Sequence, residues 1–344
     1  MTELREQLNS ERLKVDVDYS DITVRELRRM LEADELNAAP AYQRKFRWSE
    51  EAESRLIESF LLGLPVPSIF VATNEDFTWE VVDGLQRLST LVHFIGDSEK
   101  LLEQVGKEKP LRLKGLEKLT ELNGVDFEGL DDDVKLYFMR RTLRVTALSD
   151  KSDLQVRFDL FERLNRGAVS LTPQEVRACI YRGEFNDLLN ELAENMKFRE
   201  VVKLKSNSEN DGTREELVLK FFAYLNHRSE FKQWVTRFLN DYMAQATRSF
   251  DLDEARAIFG ATADHLHEVL GGEPFLRKNT YVTPLNQLEA VFVGIAEVIQ
   301  SGDSPGSPPD GWQDDYELVR TSTKGTNTVA NVRGRIERAR QLFS

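Results

Sequence analysis

Hydrophobic spacing changes from strand-like to helical at one short turn in the first third of the chain. Residues 78–82 are rich in the β-branched and aromatic side chains that strands prefer. Asp83-Gly84 is a typical turn dipeptide, because glycine adopts positive φ angles without a Cβ clash. From Leu85 onward the apolar residues recur on one helical face. These are Leu88, Leu91, Val92 and Ile95. The pattern predicts a strand, a tight turn and a helix that ends at Gly96.

The chain before this turn shows both kinds of period. Helical spacing predicts a helix over residues 23–36 and a second helix that begins after Ser49 and ends at Gly63. Two short runs, residues 68–73 and 77–82, flank a polar turn and predict a hairpin.

After residue 150 the spacing is mostly helical. Two Thr-x-x-Glu patterns, Thr172 with Glu175 and Thr213 with Glu216, predict capping boxes at helix starts. Thr283 is predicted to cap a helix that has a proline at its first position. Helices are predicted at 184–196, 213–225, 231–243, 251–270, 283–299 and 328–343, with a loop at 301–311.

Length and composition are those of a soluble protein with two domains. The chain has 344 residues, of which 40% are hydrophobic and 31% charged. We predict an α+β fold: an arm over residues 1–20, a domain with a small sheet over 21–149, and a mostly α-helical region over 150–344. The sequence has neither a membrane-spanning apolar run nor a signal peptide, and the single cysteine, Cys179, excludes an internal disulfide. These features predict a cytoplasmic location.

The net charge of −13 disfavours nonspecific binding of nucleic acid over the whole surface. A local basic groove remains compatible with it, and two groups of arginines are candidates. They are Arg140, Arg141 and Arg144, and Arg333, Arg335, Arg338 and Arg340. A solvated helix or strand face is the alternative interpretation of each group.

The predicted helix start after Gly84 is a candidate anion site, because the first N–H groups of a helix lack intrahelical acceptors and carry the positive end of its dipole. Arg87 would add a two-pronged contact to phosphate. Gln86 would reach a base, a sugar or the backbone, and the Ser89 and Thr90 hydroxyls would reach a phosphate or a metal. The alternative is an ordinary turn before a helix with a surface arginine.

Asp83 is the only carboxylate of this motif, and we interpret it as a metal or sugar ligand or as the cap of the helix that follows. The sequence contains four histidines and shows no His-Asn-His-like cluster, no Walker-A loop and no Ser-His-Asp arrangement. A metal-dependent nuclease is therefore the least favoured function class.

A second stretch, residues 39–48, interleaves aromatic and cationic side chains. The aromatic residues are Tyr42, Phe46 and Trp48, and the cations are Arg44, Lys45 and Arg47. Such a mixture suits a phosphate attached to a flat base, since stacking and charge act together. An edge strand with inward aromatics and solvated arginines is the alternative.

The order of extended basic segment, helix, hairpin, turn and helix resembles the ParB/sulfiredoxin-like fold. More closely, it resembles the domain-of-unknown-function 262 family, which includes the nucleotide-dependent halves of GmrSD-type restriction enzymes. The family signature is Tyr-Gln-Arg followed by Asp-Gly-Gln-Gln-Arg. The matching residues are Tyr42-Gln43-Arg44 and Asp83-Gly84-Leu85-Gln86-Arg87. Leu85 departs from the signature, which affects the expected hydrolysis rate more than binding. A further block, residues 161–177, also resembles the family, and the match extends over most of residues 20–340.

The resemblance implies a nucleotide-binding sensor or regulatory component of a prokaryotic anti-phage or restriction system, without its own nuclease domain. The implied cofactor is a nucleoside triphosphate with Mg²⁺, and the metal ligands are not identified. Whether the chain hydrolyses the nucleotide, as a nucleoside triphosphatase, stays open. The implied partners are DNA, a separately encoded nuclease or other effector, and a second copy of the chain, with no membrane.

The resemblance also assigns roles to residues. Arg44 and Arg87 would bind phosphates, and Gly84 would let the helix N–H groups approach them. Gln43 would orient the nucleotide. The catalytic candidates are Asp83 and Gln86, the latter orienting an attacking water, and the stacking candidates are Tyr42 and Trp48. The alternative function is a non-catalytic DNA-binding or protein-interaction module whose pocket takes DNA backbone or a modified base.

Overall fold

The computed structural model describes residues 4–6, 8, 16–37, 48–74, 76–149, 158, 160, 172–209 and 211–344. The chain divides into two compact units, residues 1–171 and residues 172–344. None of the helices in these described ranges combines the length and apolar character that crossing a bilayer requires.

Unit 1 is built on one mixed sheet with helices around it. Its strands are β1 (Val17–Thr23), β2 (Leu36–Asn37), β3 (Ile69–Thr73), β4 (Trp79–Asp83) and β5 (Thr142–Leu148). Its helices are α1 (Val24–Glu32), α2 (Glu50–Leu62), α3 (Leu85–Ile95), α4 (Glu99–Gln104) and α5 (Asp132–Met139). Together with the helical unit 2, this confirms the predicted α+β class.

The five strands lie in the order β1-β5-β3-β4-β2. The predicted hairpin is present as the antiparallel pair β3 and β4, with a bulge between Phe70 and Val71. β5 runs parallel to β3 and antiparallel to β1. β1 begins at Val17, inside the predicted arm. The helix predicted over 23–36 ends at Glu32, because Asp34 adopts a φ of +56° and the chain turns into β2.

The core of unit 1 lies between the sheet and helices α1, α2 and α3. The apolar face predicted for α3 is buried: Leu88, Leu91, Val92 and Ile95 are all less than 5% exposed. Four phenylalanines, Phe60, Phe94, Phe127 and Phe138, pack edge to face or tilted, with ring centroids 5.3–6.1 Å apart. This packing fixes α3 and therefore the turn before it.

Unit 2 is helical. Its helices are α6 (Pro173–Ile180), α7 (Glu184–Ala193), α8 (Met196–Val201), α9 (Thr213–His227), α10 (Val235–Ala246), α11 (Leu252–Val269), α12 (Leu285–Gln300), α13 (Tyr316–Thr323) and α14 (Val329–Phe343). The predicted basic C-terminal helix is α14, and Thr328 caps it.

The two predicted capping boxes have different outcomes. At Thr172 the box is complete, with both reciprocal hydrogen bonds to Glu175. At α9 the prediction is wrong, because Gly212 is the N-cap and the Thr213 hydroxyl donates to Asp211. The predicted Thr283 cap is also wrong: Pro284 is the N-cap of α12, and the Thr283 hydroxyl accepts the backbone N–H of residue 203.

A network of buried charges joins four helices of unit 2. Arg177 Nη1 lies 3.0 Å from Glu216 Oε2, and Lys220 Nζ lies 3.0 Å from Glu216 Oε1. Glu289 approaches Lys220 at 3.9 Å and Arg335 Nη2 at 2.5 Å. Arg177 and Arg335 are each no more than 1% exposed. Three cations and two carboxylates thus alternate through the interior, a pattern that keeps each buried charge beside an opposite one.

Candidate functional site

The predicted turn between β4 and α3, here called the motif turn (residues 83–87), depends on a glycine. Gly84 has a φ of +96° and stands at the N-cap position of α3. A Cβ at this position would lie 2.4 Å from Cγ2 of Ile69 on β3, which is closer than carbon atoms pack. Both the backbone angle and the close approach of β3 therefore require glycine.

Arg87 lies in the first turn of α3 and folds back on the strand end. Its Nη2 donates to Asp83 Oδ2 at 2.6 Å. The Arg87 side chain is 14% exposed, and its Nε is buried and has no hydrogen-bond partner among the described residues. The interpretation of Asp83 as a helix cap is wrong, since α3 has no side-chain cap and the carboxylate binds Arg87 instead.

Gln86 connects the motif turn to the chain that enters α2. Its Oε1 accepts the backbone N–H of Trp48 at 3.1 Å. Trp48 is half-buried and packs against the core of unit 1. The segment that carries the Tyr-Gln-Arg motif precedes Trp48 in the sequence, and this hydrogen bond holds the backbone of Trp48 beside the motif turn.

Ser89 and Thr90 are buried in α3. Ser89 is 2% exposed and Thr90 is fully buried, and the Thr90 hydroxyl donates to the backbone carbonyl of Gln86 at 2.7 Å. The binding of a phosphate or a metal by these two hydroxyls stays a prediction. The burial of both side chains does not support it. In the described ranges no group of three or more His, Cys, Asp and Glu side chains is placed to hold a metal ion.

A buried pair of a carboxylate and an imidazole joins α2 and α3, and the sequence analysis did not predict it. His93 Nδ1 lies 2.5 Å from Glu53 Oε2, and its Nε2 lies 3.1 Å from the carbonyl oxygen of residue 109. Both ring nitrogens of His93 therefore have a partner. The pair ties α3 to α2. Its only sequence signal is a histidine and a glutamate on otherwise apolar helix faces.

Several predicted residues lie outside the described residues. They are Tyr42, Gln43 and Arg44, together with Arg47 and residues 161–171.

The candidate basic group at β5 is described, and two of its three arginines, Arg141 and Arg144, have side-chain contacts. Arg144 makes a two-pronged ion pair with Asp21 on β1, at 2.9 and 3.0 Å. The Arg141 guanidinium lies 5.5 Å from the centre of the Tyr137 ring. These contacts support the interpretation of Arg144 as part of a solvated strand face.

Comparison with known proteins shows a family resemblance in the first part of the chain. No curated protein and no solved structure gave a match. The family model described as the N-terminal domain of GmrSD restriction endonuclease matches residues 27–182, which include both the motif turn and the capping box of α6. Residues 27–182 of this chain are therefore similar to the N-terminal domain family of GmrSD restriction endonuclease.

Proposed function

We propose that this chain is a nucleotide-binding regulatory component of a restriction system, and that the motif turn binds the phosphates of a nucleoside triphosphate. The family description, a domain of a restriction endonuclease, supports the first half of the proposal. The observation that carries the second half is Arg87. Its guanidinium is almost buried, and its Nε lacks a hydrogen-bond partner within the described ranges.

An unpaired N–H of a buried guanidinium is costly, and a phosphate oxygen would satisfy it. Gly84 caps α3 and has no side chain, so the N-cap residue itself offers no oxygen that would compete for the helix start. The positive end of the α3 dipole adds to the attraction. A phosphate bound here would compete with the Asp83 carboxylate for Arg87, and Mg²⁺ bound to that phosphate would offset the repulsion.

Titration calorimetry with each of the four ribonucleoside triphosphates and Mg²⁺ tests the proposal. We expect at least one nucleotide to bind wild type, and Arg87→Ala to weaken that binding by about tenfold or more, because charge-assisted hydrogen bonds contribute about 1.5–3 kcal/mol each. The matched control is Arg25→Ala, which removes an exposed cation from α1 of the same unit. Equal affinities of wild type and Arg87→Ala, or no binding of any nucleotide, would refute the proposal.

Hydrolysis of the nucleotide is the second question at this site. A substitution of Asp83 tests nucleotide binding and nucleotide hydrolysis separately. Asp83→Asn removes a negative charge 2.6 Å from Arg87 and should maintain or tighten nucleotide binding. If Asp83 also assists hydrolysis, phosphate release by the same variant falls although the nucleotide still binds. Phosphate release that equals that of wild type would exclude Asp83 from catalysis.

A further inference from the structure

Unit 2 contains an open cavity of about 480 Å³ at the junction of α9 and α10. This volume lies within the range of roughly 300–1,000 Å³ that small-molecule sites occupy. The cavity is lined by aromatic and charged side chains in nearly equal number. They include His227, Glu230, Lys232, Trp234, Arg237, Asp241 and Tyr242.

Trp234 is the aromatic wall of this cavity, and it is 75% exposed. The residue before it, Gln233, has a φ of +75°, a left-handed conformation that costs energy for a residue other than glycine. The chain thus presents a large apolar ring to solvent directly after a strained residue. Exposed indoles are typical of binding surfaces, because they offer a wide stacking face and have only two rotatable side-chain bonds.

The charges of the cavity identify the kind of ligand. Lys232 and Arg237 line the cavity together with Glu230 and Asp241, and the Arg237–Asp241 distance of 3.9 Å is too long for a strong ion pair. A simple anion would meet two carboxylates, and a simple cation would meet two basic groups. A nucleotide matches both kinds of side chain. Its phosphate attracts the basic groups, and an exocyclic amine of its base donates to the carboxylates.

His227, a lining residue of the cavity, has a buried ring nitrogen, Nδ1, without a hydrogen-bond partner among the described residues. The neighbouring Tyr242 hydroxyl already accepts the Asn226 amide at 2.9 Å, and the two rings meet edge to face at 5.2 Å. The edge-to-face contact holds the His227 ring in the lining of the cavity.

We propose that this cavity binds a nucleobase with its phosphate, with the base stacked on Trp234 and its exocyclic amine directed to Glu230 and Asp241. Lys232 and Arg237 hold the phosphate. The carboxylates select cytosine or adenine over thymine, which has no exocyclic amine. The same chemical group occurs in a free mononucleotide and in a single strand of nucleic acid, and the test separates these two sources.

Fluorescence anisotropy of the full chain with labelled oligonucleotides of about 12 nucleotides, a usual length for single-strand sites, measures binding directly. We expect oligo-dC and oligo-dA to bind more tightly than oligo-dT. Trp234→Ala should weaken binding by about tenfold or more, since stacking of a base on an aromatic ring accounts for a factor of this size. Tyr281→Ala is the matched control, because Tyr281 is 84% exposed in the same unit and outside the cavity lining.

A second experiment adds unlabelled AMP or CMP as a competitor to the complex of the chain with a labelled oligonucleotide. Competition by them that depends on Trp234 identifies a free mononucleotide as the ligand, and no competition by them identifies a strand. Oligonucleotide binding that is absent, that is equal in Trp234→Ala and wild type, or that favours oligo-dT would overturn the proposal. Arg87→Ala should leave this binding unchanged, and Trp234→Ala should leave triphosphate binding by unit 1 unchanged, so failure of either proposal is separable from failure of the other.

Discussion

Two neighbouring glutamates on α9 should respond in opposite ways to the same substitution. Burial raises the pKa of Glu216, but the charges of Lys220 and Arg177 outweigh burial and lower that pKa from 4.5 to about 2. Burial also raises the pKa of Glu215, and there burial prevails. The folded protein therefore favours the charged form of Glu216 and the neutral form of Glu215.

The magnitude for Glu216 follows from its pKa. Each pKa unit corresponds to about 1.4 kcal/mol, so ionised Glu216 stabilises the folded state by about 3 kcal/mol at neutral pH. Glu216→Gln removes this stabilisation and leaves Arg177 and Lys220 without their shared carboxylate, a loss that agrees with the ~3–5 kcal/mol typical of a broken buried pair. Glu215→Gln should be neutral or slightly stabilising at the same pH.

Scanning calorimetry of both variants beside wild type is the assay. For a unit of residues 172–344, a loss of about 3 kcal/mol lowers the midpoint of its transition by about 6–12 °C. Because the folded pKa of Glu216 is lowered, its contribution is complete above pH 4.5 and is lost as the pH falls toward 2. The difference between wild type and Glu216→Gln should therefore shrink over that range. Equal midpoints for the two variants, or a difference that persists at pH 2, would refute the reasoning.

Three further substitutions test local features. Gly84→Ala should destabilise unit 1 by about 2 kcal/mol or more, through its left-handed φ and its clash with Ile69, and a urea midpoint equal to that of wild type would contradict this. His93→Leu should cost about 3 kcal/mol at neutral pH because it leaves the buried Glu53 carboxylate without its ring partner; the double variant with Glu53→Leu should recover part of the loss in urea unfolding. Thr172→Ala should cost about 1 kcal/mol through loss of the capping box, and no change in the thermal midpoint of unit 2 would count against the cap.

Local patterns predicted local structure, and they were wrong where residues outside the pattern took the hydrogen bonds. The capping box at Thr172 was predicted correctly because its hydrogen bonds span three residues. The same pattern at Thr213 failed because the Thr213 hydroxyl donates to Asp211, and Glu216 pairs with Arg177, which is 39 positions away in the sequence. The sequence shows the spacing of the second pair but not the fold that brings Arg177 close.

The motif turn also combines features that local sequence predicts with a contact that it does not predict. The strand, Gly84 and the apolar face of α3 were predictable, since each follows from residue type and period. The bond between Asp83 and Arg87 was not predicted, although the two residues are only four positions apart. The bend at Gly84 brings the strand end over the first turn of α3, and a helical or extended pattern alone does not encode that geometry.

The strand order of the sheet has a consequence for how unit 1 folds during synthesis. Asp21 on β1 and Arg144 on β5 are bonded across 123 positions, and among the described strands β1 pairs with β5 alone. Ile69, which packs under Gly84, is also paired with Val145 on β5. Contacts of such long sequence separation form slowly and late. The residues of the motif turn are therefore synthesised well before β5, the strand that pairs with their neighbour Ile69. Until β5 is made, this part of unit 1 is incompletely folded and exposed to chaperones and proteases.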